Sequence, residues 1–280
     1  MLWSSGQLRK SLTYRQKELD YSPTTGGASF IINYFGTVSG VAYFAAAAGD
    51  AALAKATLNG GAAVSAKLRQ QEGAGSHAMI IADGWRKLGE AFAAVELDDL
   101  PAARKAAGET IQELEALNAR GELQSRKTLE LYFAYSSLGR AEAGSGEFAA
   151  AEQSLAKAAE ARRSAGVSAM DDRRQLNDVL TWLAMAQAHQ GHLSDAARTI
   201  APVVSWQREL AARNRGDRWQ PKELAAALYV EALTDPAKRV ALLHEGSALI
   251  DRLVPEVRAT HEARQWRARI DAAQRSAGTG

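Results

Sequence analysis

The chain has 280 residues, 46% hydrophobic and 24% charged, a balance that can bury a sizeable core in water. A formal net charge of +2 is too weak to argue for nucleic acid, whose partners gather Lys and Arg on one face. There is no cysteine, which excludes disulfides, thiol catalysis and zinc-finger sites. Only six prolines accompany abundant alanine, and this predicts an all-α protein, because Ala loses no side-chain entropy in a helix while Pro breaks its hydrogen-bond ladder.

The start, MLWSSGQLRKSLTYRQKELD, lacks the basic head, apolar middle and small-residue cleavage site of a secretory signal. Leu8 to Asp20 reads as a short polar helix covering the open end of the fold, although so abrupt a beginning also fits a piece of a longer protein. The loop DYSPTTGG follows, with Pro23 and Gly26-Gly27 as breakers. These features divide the chain into an N-terminal helix and loop (1–27), one helical domain (28–275) and a flexible tail, SAGTG (276–280).

Ser29 to Gly49, inside an uncharged run that begins at Tyr21, is long enough to cross a membrane. It also carries Asn33, Thr37, Ser39 and three glycines, so a helix inside a soluble fold is expected, with Gly36 and Gly40 as close helix–helix contacts rather than a membrane dimer motif. Downstream, Gln71–Ser76, Ala119–Ser125, Gly166–Asp171 and Arg213–Pro221 read as separators between helical units. From about Glu256 to Arg275 a highly charged stretch with apolar Trp266 and Ile270 reads as a terminal capping helix whose outer face meets water.

Between these ends one pattern recurs: a small-residue-rich helix, a Gly or Asp turn, then a second helix with Ala near its fourth or fifth position. The turns fall at Gly49-Asp50, Asp98-Asp99, Gly146, Gly191 and Asp235-Pro236. The alanines are Ala54, Ala103, Ala151, Ala196 and Ala241, spaced 49, 48, 45 and 45 residues apart. Glycine supplies the positive φ that ends the first helix, and small residues let two helix axes approach. The pairs Leu88-Gly89, Leu138-Gly139 and Leu183-Ala184 supply the same small surface on the first helices.

WRKLGEAF (Trp85 to Phe92), LGRAEAGSGEFAAAEQSLAKA and LAMAQAHQGHLSDAARTIAPV resemble the tetratricopeptide repeat, whose opening is W-x2-L-G-x2-Y, with Phe92 in place of Tyr. The resemblance runs from about Ala28 to Val257, with a period longer than the usual 34 residues. It implies a right-handed α-α superhelix of about five helical hairpins with a terminal capping helix. Such long units also look like the sensor regions of some bacterial transcription regulators.

A search for chemistry finds no phosphate loop, zinc helix, nucleophile elbow or kinase motifs, so no cofactor or catalytic residue is implied. His189 and His192 lie close across the Gly191 turn without a third ligand, and a solvated turn is the simpler reading. The pairs Asp98/Asp99, Asp171/Asp172 and Glu113/Glu115 read as local capping. Trp85 and Trp182 read as core, whereas Trp206, Trp219 and Trp266 sit among charged residues, as partner anchors or helix staples.

The repeat resemblance places Tyr43, Ala47, Arg86, Glu90, Phe133, Ser136, Arg140, Asp178, Thr181, Met185 and His189 on a concave face built from first helices. Their mixture of types suits an extended peptide or helix, with Arg86 and Arg140 pairing either acidic ligand groups or neighbouring carboxylates. The expectation is a non-enzymatic, cytoplasmic scaffold that binds a protein or peptide segment, with exposed end helices through which copies of the chain could pair. The first alternative is a ligand-sensing module for a small molecule or short peptide, which requires a closed, apolar pocket with a few converging polar groups; a third reading, an enzyme on a helical scaffold, requires titratable groups within hydrogen-bond reach in a cleft.

Overall fold

The computed structural model describes residues 8–22, 28–72, 77–121 and 128–277. The breakers Pro23 and Gly26-Gly27, the loop residues 73–76 and the tail beyond Ala277 lie outside the described residues. The described chain is all-helical, with no strand: α1 (Leu8–Tyr21), α2 (Ala28–Ala47), α3 (Ala51–Glu72), α4 (His77–Glu96), α5 (Leu100–Ala119), α6 (Thr128–Gly144), α7 (Phe148–Ser164), α8 (Met170–His189), α9 (Leu193–Arg213), α10 (Gln220–Thr234), α11 (Arg239–Asp251), α12 (Pro255–Arg258) and α13 (His261–Ala277). These thirteen described helices are more than five hairpins and one cap account for. Successive helices pack on one another from α1 to α11, and α13 returns onto α10 and α11.

Four of the turns are closed by the same chemistry. Gly49, Asp98, Gly146 and Gly191 sit at φ values of 82°, 63°, 79° and 82°. The amide of the next residue then reaches back five residues, from Asp50 to Ala45 (2.8 Å), Asp99 to Ala94 (2.9 Å), Glu147 to Glu142 (2.9 Å) and His192 to Gln187 (3.0 Å). This is the paired-carbonyl ending that a left-handed residue permits. The carbonyls of Asp50, Asp99, Glu147 and His192 accept the first bond of the following helix, from Ala54, Ala103, Ala151 and Ala196. All four alanines are fully buried at the crossing.

The fifth turn differs. Pro236 cannot take a left-handed φ, and Lys238 starts the next helix by accepting from Leu242. Leu242 is therefore buried, and Ala241, expected at the crossing, faces solvent. Close approach moves instead to Gly246, where a Cβ would lie 3.5 Å from the Ala225 carbonyl oxygen.

Glycine matters at two other crossings. A Cβ on Gly89 would stand 2.8 Å from Ser39 Cα, and one on Gly139 would stand 2.5 Å from Leu155 Cγ. Gly36 and Gly40 do not play the expected part, since a Cβ at Gly36 meets nothing within 4 Å and one at Gly40 meets only Arg15 Nε at 4.0 Å. On α2 it is Ser39, on another face, that lets α4 come close. The segment Phe30–Ala47 is long and apolar enough to cross a membrane (mean hydropathy 1.4), and 56% of it is buried inside this fold.

The C-terminal end also departs from expectation. The helix expected from Glu256 to Arg275 is broken at Ala259-Thr260. The Thr260 hydroxyl accepts the Ala263 amide at 3.3 Å and so starts α13 afresh. The start of α1 meets α12: Leu8 is buried, and the Arg9 amide donates to Glu256 at 3.4 Å. Along α13, Glu262, Ala263, Trp266, Ile270 and Ala273 are buried. Their spacing of three and four residues makes one buried stripe, so α13 joins the core along its length.

Substituting Gly89→Ala is expected to cost about 1–3 kcal/mol, because the new methyl presses on backbone. Gly36→Ala should raise stability by about 0.5–1 kcal/mol through helix propensity alone. Urea unfolding of both variants measures this, and equal effects would contradict the assignment of the close contact.

Candidate functional site

The inner faces of α2, α4, α6 and α8 line a half-open cavity of about 260 Å³. Tyr43 comes from α2, Phe92 and Glu96 from α4, Phe133, Ser136 and Arg140 from α6, and Asp178 from α8. Its aromatic wall is continuous, with ring centroids 6.0 Å apart for Tyr43–Phe92, 5.5 Å for Phe92–Phe133 and 4.8 Å for Tyr132–Phe133. The first two meet edge to face, the arrangement that ring quadrupoles favour.

Arg140 stands at the charged end. Its guanidinium lies 3.9 Å from Glu96, 4.0 Å from Asp178 and 3.7 Å from Glu262, and 5.2 Å above the Trp182 ring. These carboxylates are too distant to be hydrogen-bonded to it, and its buried Nε has no hydrogen-bond partner. Glu96 ends α4 directly before the Asp98 turn, so its position is set by the local chain reversal. Glu262 lies in the first turn of α13, where the helix dipole favours an acid. It accepts from Lys222 Nζ at 2.5 Å and from Trp266 Nε1 at 3.4 Å.

Lys222 is itself placed by a neighbouring clamp. Asp217 accepts the amides of Trp219 (3.0 Å) and Gln220 (3.2 Å) at the start of α10. Arg174 on α8 joins Asp217 (2.6 Å) to Glu223 (3.0 Å), which ties α8 to α10. Trp182 on α8 packs against Trp266 on α13 at 4.8 Å, and His261 reaches Asp98 at 3.6 Å. Thus α13 spans α10, α8, α6 and the turn after α4.

Burial pushes Glu96 up to about 7, with Arg140 opposing and Glu262 adding to the rise. Burial likewise pushes Asp178 up to about 6 against the pull of Arg140. Burial works the same way on Glu262, but Lys222 and Arg140 outweigh it and hold that carboxyl down at about 2. The Glu96 side chain is 3% exposed and that of Asp178 35% exposed, so Glu96 is the stronger proton holder.

Of the residues expected on the concave face, Tyr43, Phe133, Ser136, Arg140 and Asp178 come together here. Thr181 lies one turn further along α8, beside Lys222 and Glu262, with its hydroxyl donating to the Asn177 carbonyl at 2.8 Å. Arg86 and Glu90 lie elsewhere. They pair with each other, and Arg86 approaches Asp83, which accepts the Ser65 hydroxyl of α3. The inward side of α4 carries Trp85, Phe92 and Glu96, so the expected register is one position off. Met185 is core, Ala47 is buried near the start of α1 and α12, and His189 stacks on Phe148 at 4.3 Å.

Asp99 and Asp172 act as local caps, accepting the Ala102 amide (3.2 Å) and the Ala169 amide (3.0 Å). Glu113 and Glu115 are not caps: they sit within α5 and bind Lys87 and Tyr135. Trp219 and Trp266 are buried. Sequence reasoning misses Glu96, Lys222 and Glu262 as members of the site. The stripe Ala263, Trp266, Ile270 and Ala273 is the available signal that α13 turns inward and carries Glu262 with it.

A larger groove, about 980 Å³, runs beneath α1 between Tyr14, Ile32, Gly36 and Trp85. Arg15 and Glu18 on its rim pair with each other at 2.7 Å. Fold and site together define an all-helical protein of packed hairpins around an aromatic and carboxylate-lined cavity. No family profile matches the chain, and no characterised protein or solved structure matches it either.

Glu96 binds more protons folded than unfolded between pH 4.5 and about 7. Stability should therefore fall as pH rises through that window, by at most about 3 kcal/mol, since each tenfold change in a proton-binding constant is worth about 1.4 kcal/mol. The depressed Glu262 has the opposite sign, and its contribution is lost as pH falls from 4.5 towards 2. The raised Asp178 adds a decline of the same sign as that of Glu96, from pH 3.8 to about 6. Urea unfolding across pH 3 to 8 should give a maximum at roughly pH 4 to 5, and Glu96→Gln should shrink the decline above it and end it near pH 6. A flat profile in the unaltered protein would contradict the burial of an ionisable Glu96.

Proposed function

We propose that this protein is a non-enzymatic ligand-sensing module that holds a small molecule in the cavity between α2, α4, α6 and α8. One observation carries the reading: Arg140, Glu96 and Asp178 converge on an aromatic-walled cavity without hydrogen-bonding one another. Such pockets, mainly apolar with a few converging polar groups, suit small ligands. Occupancy would reach α13 through Glu262, which faces the same guanidinium. The resemblance to tetratricopeptide-like sensor regions, with a superhelix whose curvature responds to ligand, supports the same reading.

The scaffold reading has one observation in its favour. Helix α13 already lies across the first helices through Glu262 and Trp266, much as a bound segment would. A partner segment in that place would have to displace α13, which is buried along one face. The small-molecule reading needs no such displacement.

A fragment library screened by ligand-observed NMR against the full chain tests the proposal. Hits should bind the unaltered protein and lose binding in Ser136→Phe, whose ring would fill the cavity, with circular dichroism confirming that the variant folds. Fragments that bind the folded variant equally well, or a library without hits, would contradict the proposal.

A further inference from the structure

Charge balance at the cavity identifies the chemical class of ligand, given the small-molecule reading above. Three carboxylates, Glu96, Asp178 and Glu262, lie around Arg140, with Lys222 and Arg269 as further cations in the field of Glu262. Lys222 and Glu262 are already matched at 2.5 Å. That leaves Arg140 shared between Glu96 and Asp178, at 3.9 and 4.0 Å. Glu96 lines the cavity and is 5% exposed as a residue, and its ion pair with Arg140 is longer than a hydrogen bond. It is therefore a nearly completely buried acid that borders the cavity and shares its counter-charge with a second carboxylate.

An anionic ligand would enter beside three carboxylates that already surround Arg140, and would be repelled. A neutral ligand would leave Glu96 protonated and gain no ion pair from it. A cation gains that pair by ionising Glu96, and the ring faces of Tyr43, Phe92 and Phe133 are the surfaces that attract an ammonium group. We propose that the cavity binds a small organic cation, a protonated primary amine on an apolar body, with the ammonium between Glu96 and Asp178 and the body against the aromatic wall.

The groups facing Glu96 are Arg140 on α6, Asp178 on α8, Lys222 on α10 and Glu262 on α13, with Tyr43 of α2 sharing the same field. Burial holds Glu96 up at about 7, so the ligand-free site carries a proton near neutral pH. Entry of the ammonium ionises Glu96, and that proton passes to the buffer. Affinity should then rise by about tenfold between pH 6 and pH 8 and level off above, as expected for release of one proton.

Isothermal titration of the full chain with phenethylamine, 2-phenylethanol and 3-phenylpropanoate separates the classes. The amine should bind at least tenfold tighter than the alcohol, and the acid should not bind. Repeating the amine titration in buffers of different ionisation enthalpy should reveal release of up to one proton. Glu96→Gln should weaken the amine at least tenfold and abolish that release, and Asp178→Asn serves as the second variant where the first fails to fold. Equal or tighter binding of the alcohol or the acid overturns the cation assignment and leaves the small-molecule reading standing. So does silence from all three probes when other fragments bind in a manner lost in Ser136→Phe. Absence of any small-molecule binding overturns both.

Discussion

One guanidinium holds the interior in register. Arg140 projects from α6, and the carboxylates around it come from α4, α8 and α13, helices far apart in sequence. Taking that charge out of water is expensive, and the surrounding acids and the Trp182 ring offset the cost. With Glu262 among those acids, the charge favours the packing in which α13 lies inward. The same shared pairing leaves Glu96 and Asp178 short of counter-charge, which is why burial raises both.

The hairpins beneath this site are built by a local rule applied four times. A left-handed residue ends one helix, the next residue's amide returns to a carbonyl five back, and the alanine four residues on is forced into the crossing. Because the rule is local, it is visible in the sequence as a spacing of alanines. It fails at the fifth turn for an equally local reason. Pro236 excludes the left-handed turn, the helix starts one residue later, and Leu242 takes the place expected of Ala241.

Legibility of the site follows the same division. Repeat phase alone places Tyr43, Phe133, Ser136, Arg140 and Asp178 together. It misplaces Arg86 and Glu90, because a one-residue error turns a helical side chain by about 100°, enough to move it from one face to another. Glu96 is missed by the same one-position error on α4, whereas Lys222 and Glu262 are not legible because they join the site through contacts between separate units. Gly36 and Gly40 draw attention as a spaced pair, yet spacing does not reveal which face meets a neighbour. Ser39, between them, is the residue that does.

Glu262, through Arg140 and Lys222, holds α13 inward against α6 and α10. The chain has no cysteine, so a spin-label pair can be introduced cleanly at Lys105→Cys on α5 and Ala268→Cys on α13, both exposed positions. Pulsed dipolar spectroscopy should give one narrow distance population, broadening when Arg140→Met and Glu262→Gln are added together. A broad population in the pair with Arg140 and Glu262 intact would show that α13 does not rest across the site, and would contradict that role.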